Sequence, residues 1–236
     1  MQLFEVFDQL SHGEFRSTAL GGSQASGILE KDYPRVIPLI NLGLTELYKR
    51  FPIRSKILII QQMEQFSIYY LHPDYAVTHP TSTKARYIKD TVFEPFDSAD
   101  SVLKIEAVYD ETGKEYYLND PKQVHSLFTP SYNSIQVPFN DADNTLTVKY
   151  RTGHPKLQYD MEDVLRQEIE LPIAYMEALL NYIAGRYLSS SGSAQAVQEG
   201  SLFIQKFELS CRKIEELGLY NQVISTNTKL DDNGWA

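Results

Sequence analysis

YPRVIPLINLGLTELYKRFPIRSKILIIQ, residues 33–61, changes its period in the middle. Up to Phe51 the positions Val36, Leu39, Ile40, Gly43, Leu44, Leu47, Tyr48 and Phe51 recur every three or four residues, one stripe of a four-turn helix. Asp32 is placed to cap that helix, and Pro34 falls in its first turn, where a missing N–H is no loss. Lys49 and Arg50 complement the negative end of the helix dipole. Pro52 then disfavours helix at Phe51 and stops it. From Lys56 to Gln61 the run is rich in β-branched residues and reads as a strand. A helix that hands over to strands here points to an α+β chain.

Upstream, Leu3, Val6, Phe7 and Leu10 mark another helical stripe, followed by a loop at Gly21–Gly27. Downstream, Phe66–Leu71 reads as strand, and Pro73–Ser101 as a long irregular stretch with a short strand at most. Val102–Asp110 and Lys114–Leu118 flank an Asp-to-Gly turn and are expected to pair as a hairpin, with Leu103, Ile105, Ala107 and Tyr109 on its buried face. Ser134–Phe139 and Thr145–Tyr150, around Asn140–Asn144, are expected to form a second, burying Leu146, Val148 and Tyr150. From Leu157 the period turns helical again. Pro172 opens a helix with the stripe Ile173, Met176, Leu179, Leu180, Ile183 and Tyr187. Ser189–Ser193 breaks it, and a last helix runs from Gln195 to Leu217 with Phe203, Phe207, Cys211, Ile214 and Leu217 on one face. Gly218 stands where a helix-ending glycine belongs. Tyr220–Ala236 is polar and aperiodic.

These signals divide the chain into N-terminal helices (1–52), a β-rich insertion (53–154), C-terminal helices (155–220) and an extended tail (221–236). The expected fold is α+β: a helical bundle from the N- and C-terminal segments with an inserted antiparallel β domain.

Composition narrows the function. The 236 residues are 42% apolar and 22% charged, which excludes disorder and collagen-like classes. Lys plus Arg is 22 against 31 Asp plus Glu, a net charge of −9. Such a chain is a poor candidate for gripping nucleic acid, which needs phosphate neutralisation. With Cys211 as the one cysteine there is no intramolecular disulfide and no Cys-based zinc site, as expected of a protein made in a reducing compartment. Met1–Leu10 lacks the features of a signal peptide, and the apolar run Ile57–Ile60 is far short of the ~18 residues that span a bilayer. The 16 Tyr and 11 Phe suit both half-buried strands and protein interfaces.

Chemistry is sparse. His12, His72, His79, His125 and His154 show no i, i+4 metal spacing. His72 and His79 flank Asp74 but read as ordinary loop residues. Gly21-Gly22 is not followed by the Lys-Ser/Thr of a phosphate loop, and there is no nucleophile elbow. Asp141, Asp143 and Asn144 lack the glycine and glutamate of a calcium loop. Cys211 on an apolar stripe reads as a small hydrophobe. The expectation is no catalytic residue, no metal and no cofactor. One charged cluster, Lys49, Arg50, Arg54 and Lys56, gathers at the helix–strand junction, either as dipole complementation or as a contact for an acidic or phosphate-bearing partner.

The order helix, helix, β insertion, helix, helix resembles the head-to-tail adaptor proteins of short-tailed bacteriophages. Leu47-Tyr48-Lys49-Arg50-Phe51-Pro52 is similar to the end of that family's long N-terminal helix. Val102-Leu103-Lys104-Ile105 with Val108-Tyr109-Asp110, Gly113 and Leu118-Asn119-Asp120 resembles its first hairpin. Phe128-Thr129-Pro130, Ile135-Gln136-Val137-Pro138 and Val148-Lys149-Tyr150-Arg151 with His154-Pro155 resemble its later strands. Leu171-Pro172 with Glu177–Ala184, and Ile214–Leu219, resemble its last two helices. The likeness covers roughly residues 30–220 and lies in the order of the motifs.

The resemblance implies a structural virion protein without enzymatic activity, in the neck of the particle and assembled in the host cytoplasm. Copies would form a ring, of twelve, between the portal and a tail or nozzle protein. Genomic DNA would pass through the ring without sequence-specific binding, and no membrane would be involved. Acidic residues lining the channel would repel the phosphates. Lys49, Arg50 and Arg54, together with Leu230 and Trp235 in the tail, are the candidate partner contacts. The alternative is a β-sandwich ligand- or receptor-binding module of a phage tail, with Tyr116, Tyr117 and Tyr132 as its platform and the helices for oligomerisation. A hydrolase with a scattered site is a third reading.

Overall fold

The computed structural model describes residues 1–16, 18, 20, 28–93, 95–96, 101–138 and 144–219. Among them are four α-helices and two antiparallel sheets, an α+β architecture. The chain divides into two compact units, Met1–Glu170 and Leu171–Ala236.

In the first unit, α1 (Leu3–His12) buries the expected stripe of Leu3, Val6, Phe7 and Leu10. Its start is tied to residues far along the chain: Leu3 N donates to Gln167 O at 2.9 Å, and Ile169 N to Met1 O at 2.7 Å. α2 (Tyr33–Arg50) buries Val36, Ile37, Ile40, Gly43, Leu44, Leu47 and Tyr48. Phe7 meets Tyr33 with ring centroids 5.2 Å apart. Asp32 makes no side-chain cap; the helix is entered through the 3-10 turn Glu30–Asp32 instead. Pro38 lies inside α2, where it cannot bond the carbonyl of Pro34, but it is on the exposed side. Phe51 is extended, so Pro52 ends the helix as expected.

The larger sheet has the order β3 (Ile88–Lys89), β1 (Ser55–Gln61), β7 (Thr145–Thr152), β4 (Val102–Tyr109). The smaller has the order β2 (Ile68–Tyr70), β6 (Ser134–Gln136), β5 (Phe128–Ser131). Leu58, Ile60, Leu146, Val148 and Tyr150 join Tyr69, Tyr87 and Ile135 in one core. The second expected hairpin does not form. β6 pairs with β2 and β5, whereas β7 pairs with β1 and β4, so the two arms belong to different sheets. The first hairpin is reduced to one arm: beyond Gly113 (φ +87°), residues 114–118 form no named strand, meeting the end of β4 through the bridge Tyr109–Glu115 and the bonds from Asp110 N to Lys114 O and Tyr116 N to Val108 O, while Leu118 bridges to Leu127. Two register shifts in β4 break the simple alternation: Val102, Ile105 and Val108 go into the sheet core, Ala107 is buried opposite Lys149 on the other face, and Leu103 and Tyr109 are half-buried.

The helical period expected from Leu157 is not realised. Residues 157–170 lie in the first unit and hold one short 3-10 turn, Val164–Arg166. Side chains take the backbone groups that a helix would use. Asn41 Nδ2 donates to Leu157 O and Leu157 N to Asn41 Oδ1, each at 2.9 Å. Gln167 bonds both N–H and C=O of Gln158.

The second unit is a helical hairpin, α3 (Met176–Ser189) and α4 (Ala194–Glu216), with Tyr182 edge-on to Phe207. Ser193, inside the expected break, caps α4 by accepting from Ala196 N. Gly218 ends it with φ +63°. Ile173 and Leu217, both expected on buried stripes, are exposed. Ile173 sits in a 3-10 turn ahead of α3 and Leu217 follows the last residue of α4, so neither keeps the helical phase. The turn around Asp141 and Asp143, the loop Gly21–Gly27 and the tail 221–236 lie outside the described residues.

Candidate functional site

The junction where α2 meets β1 gathers Lys49, Arg50 and Arg54, as their closeness in sequence demands. The structure adds residues from much later in the chain. Arg151 of β7 donates from Nη1 to Lys49 O at 2.9 Å, satisfying a carbonyl that the end of α2 leaves open. Its Nε and Nη2 both reach Glu106 Oε1, at 3.1 and 3.0 Å. Ser55 Oγ donates to the other oxygen of Glu106 at 2.9 Å. One guanidinium and one carboxylate thus bind the end of α2, β7, β4 and β1 together.

Arg54 faces Glu170, Nε to Oε2 at 3.3 Å. Its Nη1 is buried without a hydrogen-bond partner. Glu170 N donates to His154 Nε2 at 3.1 Å, so the ring proton is on Nδ1, beside Pro155 O. Burial holds His154 below the ordinary histidine value of 6.5, against the pull of Pro155 O and Glu170. Tyr48 lies edge-on to that ring and donates to Glu170 O. Burial, and then the charge of Glu170, push its phenol well up.

This arrangement fixes a helix to a sheet. Arg54 and Arg151 are held by carboxylates, and Lys49 pairs with Glu46 at 2.9 Å on the surface, a contact of little energy. Arg50 lies 5.8 Å from the Phe51 centroid. The partners that sequence reading missed are Glu106, Arg151, His154 and Glu170. Only Glu106 carried a signal, as a charge inside the apolar run Val102–Tyr109. Leu230 and Trp235 lie outside the described residues.

A second cluster surrounds Asp74. Lys84 Nζ is 2.6 Å from Oδ2, His72 Nδ1 3.5 Å from the same oxygen, and His79 Nε2 3.9 Å from Oδ1. The Lys84 hydrogen bond holds the Asp74 carboxyl below its usual range. The ammonium sits on Oδ2 alone, at the surface. Among the described residues, no group of three or more His, Cys, Asp or Glu is placed to hold an ion. Cys211 is buried on α4.

Clefts among the described residues open to solvent. One, of about 620 Å³, runs along α2 between Leu42, Thr45, Lys156 and Tyr159. Another, of about 400 Å³, lies over the Asp110–Gly113 turn and is lined by Glu115, Tyr116, Tyr117, Gln123 and His125. Tyr132 is not part of it. Among the described residues no helix is long and apolar enough to cross a membrane.

No protein-family model matches this chain, and no curated protein is significantly similar to it.

Proposed function

We propose that this chain is a head-to-tail adaptor of a short-tailed phage: a structural protein, not an enzyme, whose copies ring the DNA channel between portal and tail. The observation that carries the reading is the order of elements. Among the described residues two helices precede seven strands in two antiparallel sheets, and two helices follow, which is the order the sequence resemblance implies. In this reading the protein resides in the neck of the virion and assembles in the host cytoplasm. Twelve copies surround DNA that passes without being read. With Arg54 engaged by Glu170, the portal contacts fall to Lys49, Arg50 and the tail residues Leu230 and Trp235.

Negative-stain images of the purified chain, alone and produced together with its portal, test the proposal. Rings seated on the portal are expected, and a chain lacking 221–236 is expected to fold but not to attach. A protein that stays monomeric and ignores the portal would overturn the reading.

The cleft beside Tyr116 and Tyr117 favours a second reading, a ligand-binding module, because aromatic and planar polar side chains converge there as they do in small-molecule sites. Saturable binding of a glycan, lost in Tyr117→Ala, would move the assignment to that class.

A further inference from the structure

The outward face of the larger sheet has an unusual make-up for a chain of net charge −9. Residues opposite one another on antiparallel strands share a face. Ile57 stands opposite Lys149, and Ile59 lies between Thr147 and Lys89. On the far edge, Lys104 pairs with Arg151 and Ala107 with Lys149. The alternate residues Leu58 and Ile60 go into the core, so Ile57 and Ile59 point away from it, 68% and 41% exposed. Arg151 is matched by Glu106. Among the described residues Lys89, Lys104 and Lys149 have no ion-pair partner. The face is thus two isoleucines framed by three unmatched lysines.

The same unit carries a segment of the opposite character. Tyr159-Asp160-Met161-Glu162-Asp163 is exposed throughout, with Tyr159 50% and Met161 45% accessible. It is not a loose loop. Gln167 closes its base, accepting from Gln158 N at 2.8 Å and donating to Gln158 O at 2.6 Å and Val164 O at 3.0 Å. Asp163 turns the chain in the left-handed region, φ +56°, which aspartate tolerates better than most residues with a side chain. The result is a clasped knob with apolar side chains between carboxylates.

We infer that the knob at Tyr159–Asp163 docks on the Ile57/Ile59 sheet face of a second copy of this chain. Met161 and Tyr159 cover the isoleucines, and Asp160 and Glu162 meet Lys89 and Lys149. Two different patches of one chain are used, so the contact is head-to-tail and propagates until a ring closes or a filament grows. An acidic knob on a basic face gives the contact its direction and opposes face-to-face pairing, where lysines would meet lysines. A knob of this size covers less than the ~800 Å² per partner of a stable interface, so each contact is weak and ring closure or a template holds the assembly. The inference rests on the ring reading for the existence of that neighbour.

The experiment uses the full chain, whose own Cys211 is buried and serves as the unreactive control. Ile57→Cys and Met161→Cys are placed in one chain and treated with a short bis-maleimide. A ladder of dimers, trimers and higher species is expected, whereas each single variant stays monomeric. Adding Lys149→Glu should abolish the ladder, and adding Glu162→Lys to that chain should restore it. At about 1 M salt, where screening acts within about 3 Å, the yield should fall. Thermal melts confirm that each variant folds, and Ile59→Cys with Asp160→Cys provides a second pair. Rings by electron microscopy without a 57–161 bridge would overturn this contact and leave the adaptor reading standing. A ladder whose species are only open filaments would uphold the contact and count against the ring. Absence of both, or a ladder that stops at dimers, overturns the contact.

Discussion

Gly185 of α3 and Gly200 of α4 pass so closely that neither has room for a side chain. A Cβ on Gly200 would lie 2.9 Å from Gly185 O, 2.8 Å from Ser189 N and 2.5 Å from Ser189 Oγ. A Cβ on Gly185 would lie 3.1 Å from Gly200 O and 2.7 Å from Ile204 Cδ1. In an open helix Gly→Ala stabilises by about 1 kcal/mol. Here Gly200→Ala must push backbone aside and should destabilise by about 1–3 kcal/mol. Gly185→Ala meets chiefly the flexible end of Ile204 and should cost less. Urea melts of the two variants give the order; a stabilised Gly200→Ala would mean the helices are farther apart.

Asn41 does for Leu157 what a neighbouring strand would do, giving and accepting one hydrogen bond each. Asn41→Leu leaves both Leu157 backbone groups unpaired and should cost about 1–3 kcal/mol. Faster amide exchange at Leu157, with the β1–β7 amides unchanged, is the local signature to look for.

Leu44 and Leu42 test which side of α2 is inside. Leu44 is 1% exposed and Leu42 43%. Leu44→Ala should lose about 2–5 kcal/mol, and Leu42→Ala within about 0.5 kcal/mol of nothing. Equal effects in denaturant titrations would contradict this orientation.

His154 makes stability pH-dependent on the acid side. Its folded pKa lies below the ordinary 6.5 because burial disfavours the charged ring. Between the two values the unfolded chain binds more protons. This contribution is therefore complete above about 6.5 and is lost as pH falls through the folded value. Melting temperature should drop over that window in the wild type, and the drop should shrink in His154→Gln. An unchanged profile in the variant would assign the dependence to another group.

What the sequence revealed, and what it hid, follows from how local each signal is. The helices were legible because a stripe such as Leu3, Val6, Phe7 and Leu10 needs only its own segment, and Pro52 and Gly218 punctuate their own neighbourhoods. Strand partners were not legible. β7 lies beside β1, which precedes it by most of the first unit, and nothing within Ser134–Tyr150 shows that its two arms part into separate sheets. The junction divides in the same way. Lys49, Arg50 and Arg54 were found because they are neighbours in sequence, whereas the carboxylates of Glu106 and Glu170 arrive only through folding. The apparent helix after Leu157 failed because side chains of Asn41 and Gln167 compete for its backbone, and a period count does not include them.

The bonds that join residues 1–3 to residues 167–169 also set a timetable. The stripe on α1 finds its fixed position only after some 165 further residues have been made. At about 5–20 residues per second of translation, that delay is on the order of ten seconds. Through that interval Leu3, Val6, Phe7 and Leu10 are a greasy strip on a nascent chain with no settled place to go. A chaperone that shields such strips from neighbouring polysomes would therefore raise the yield of folded protein, and a ribosome that stalls before Ile169 would release a product prone to clump.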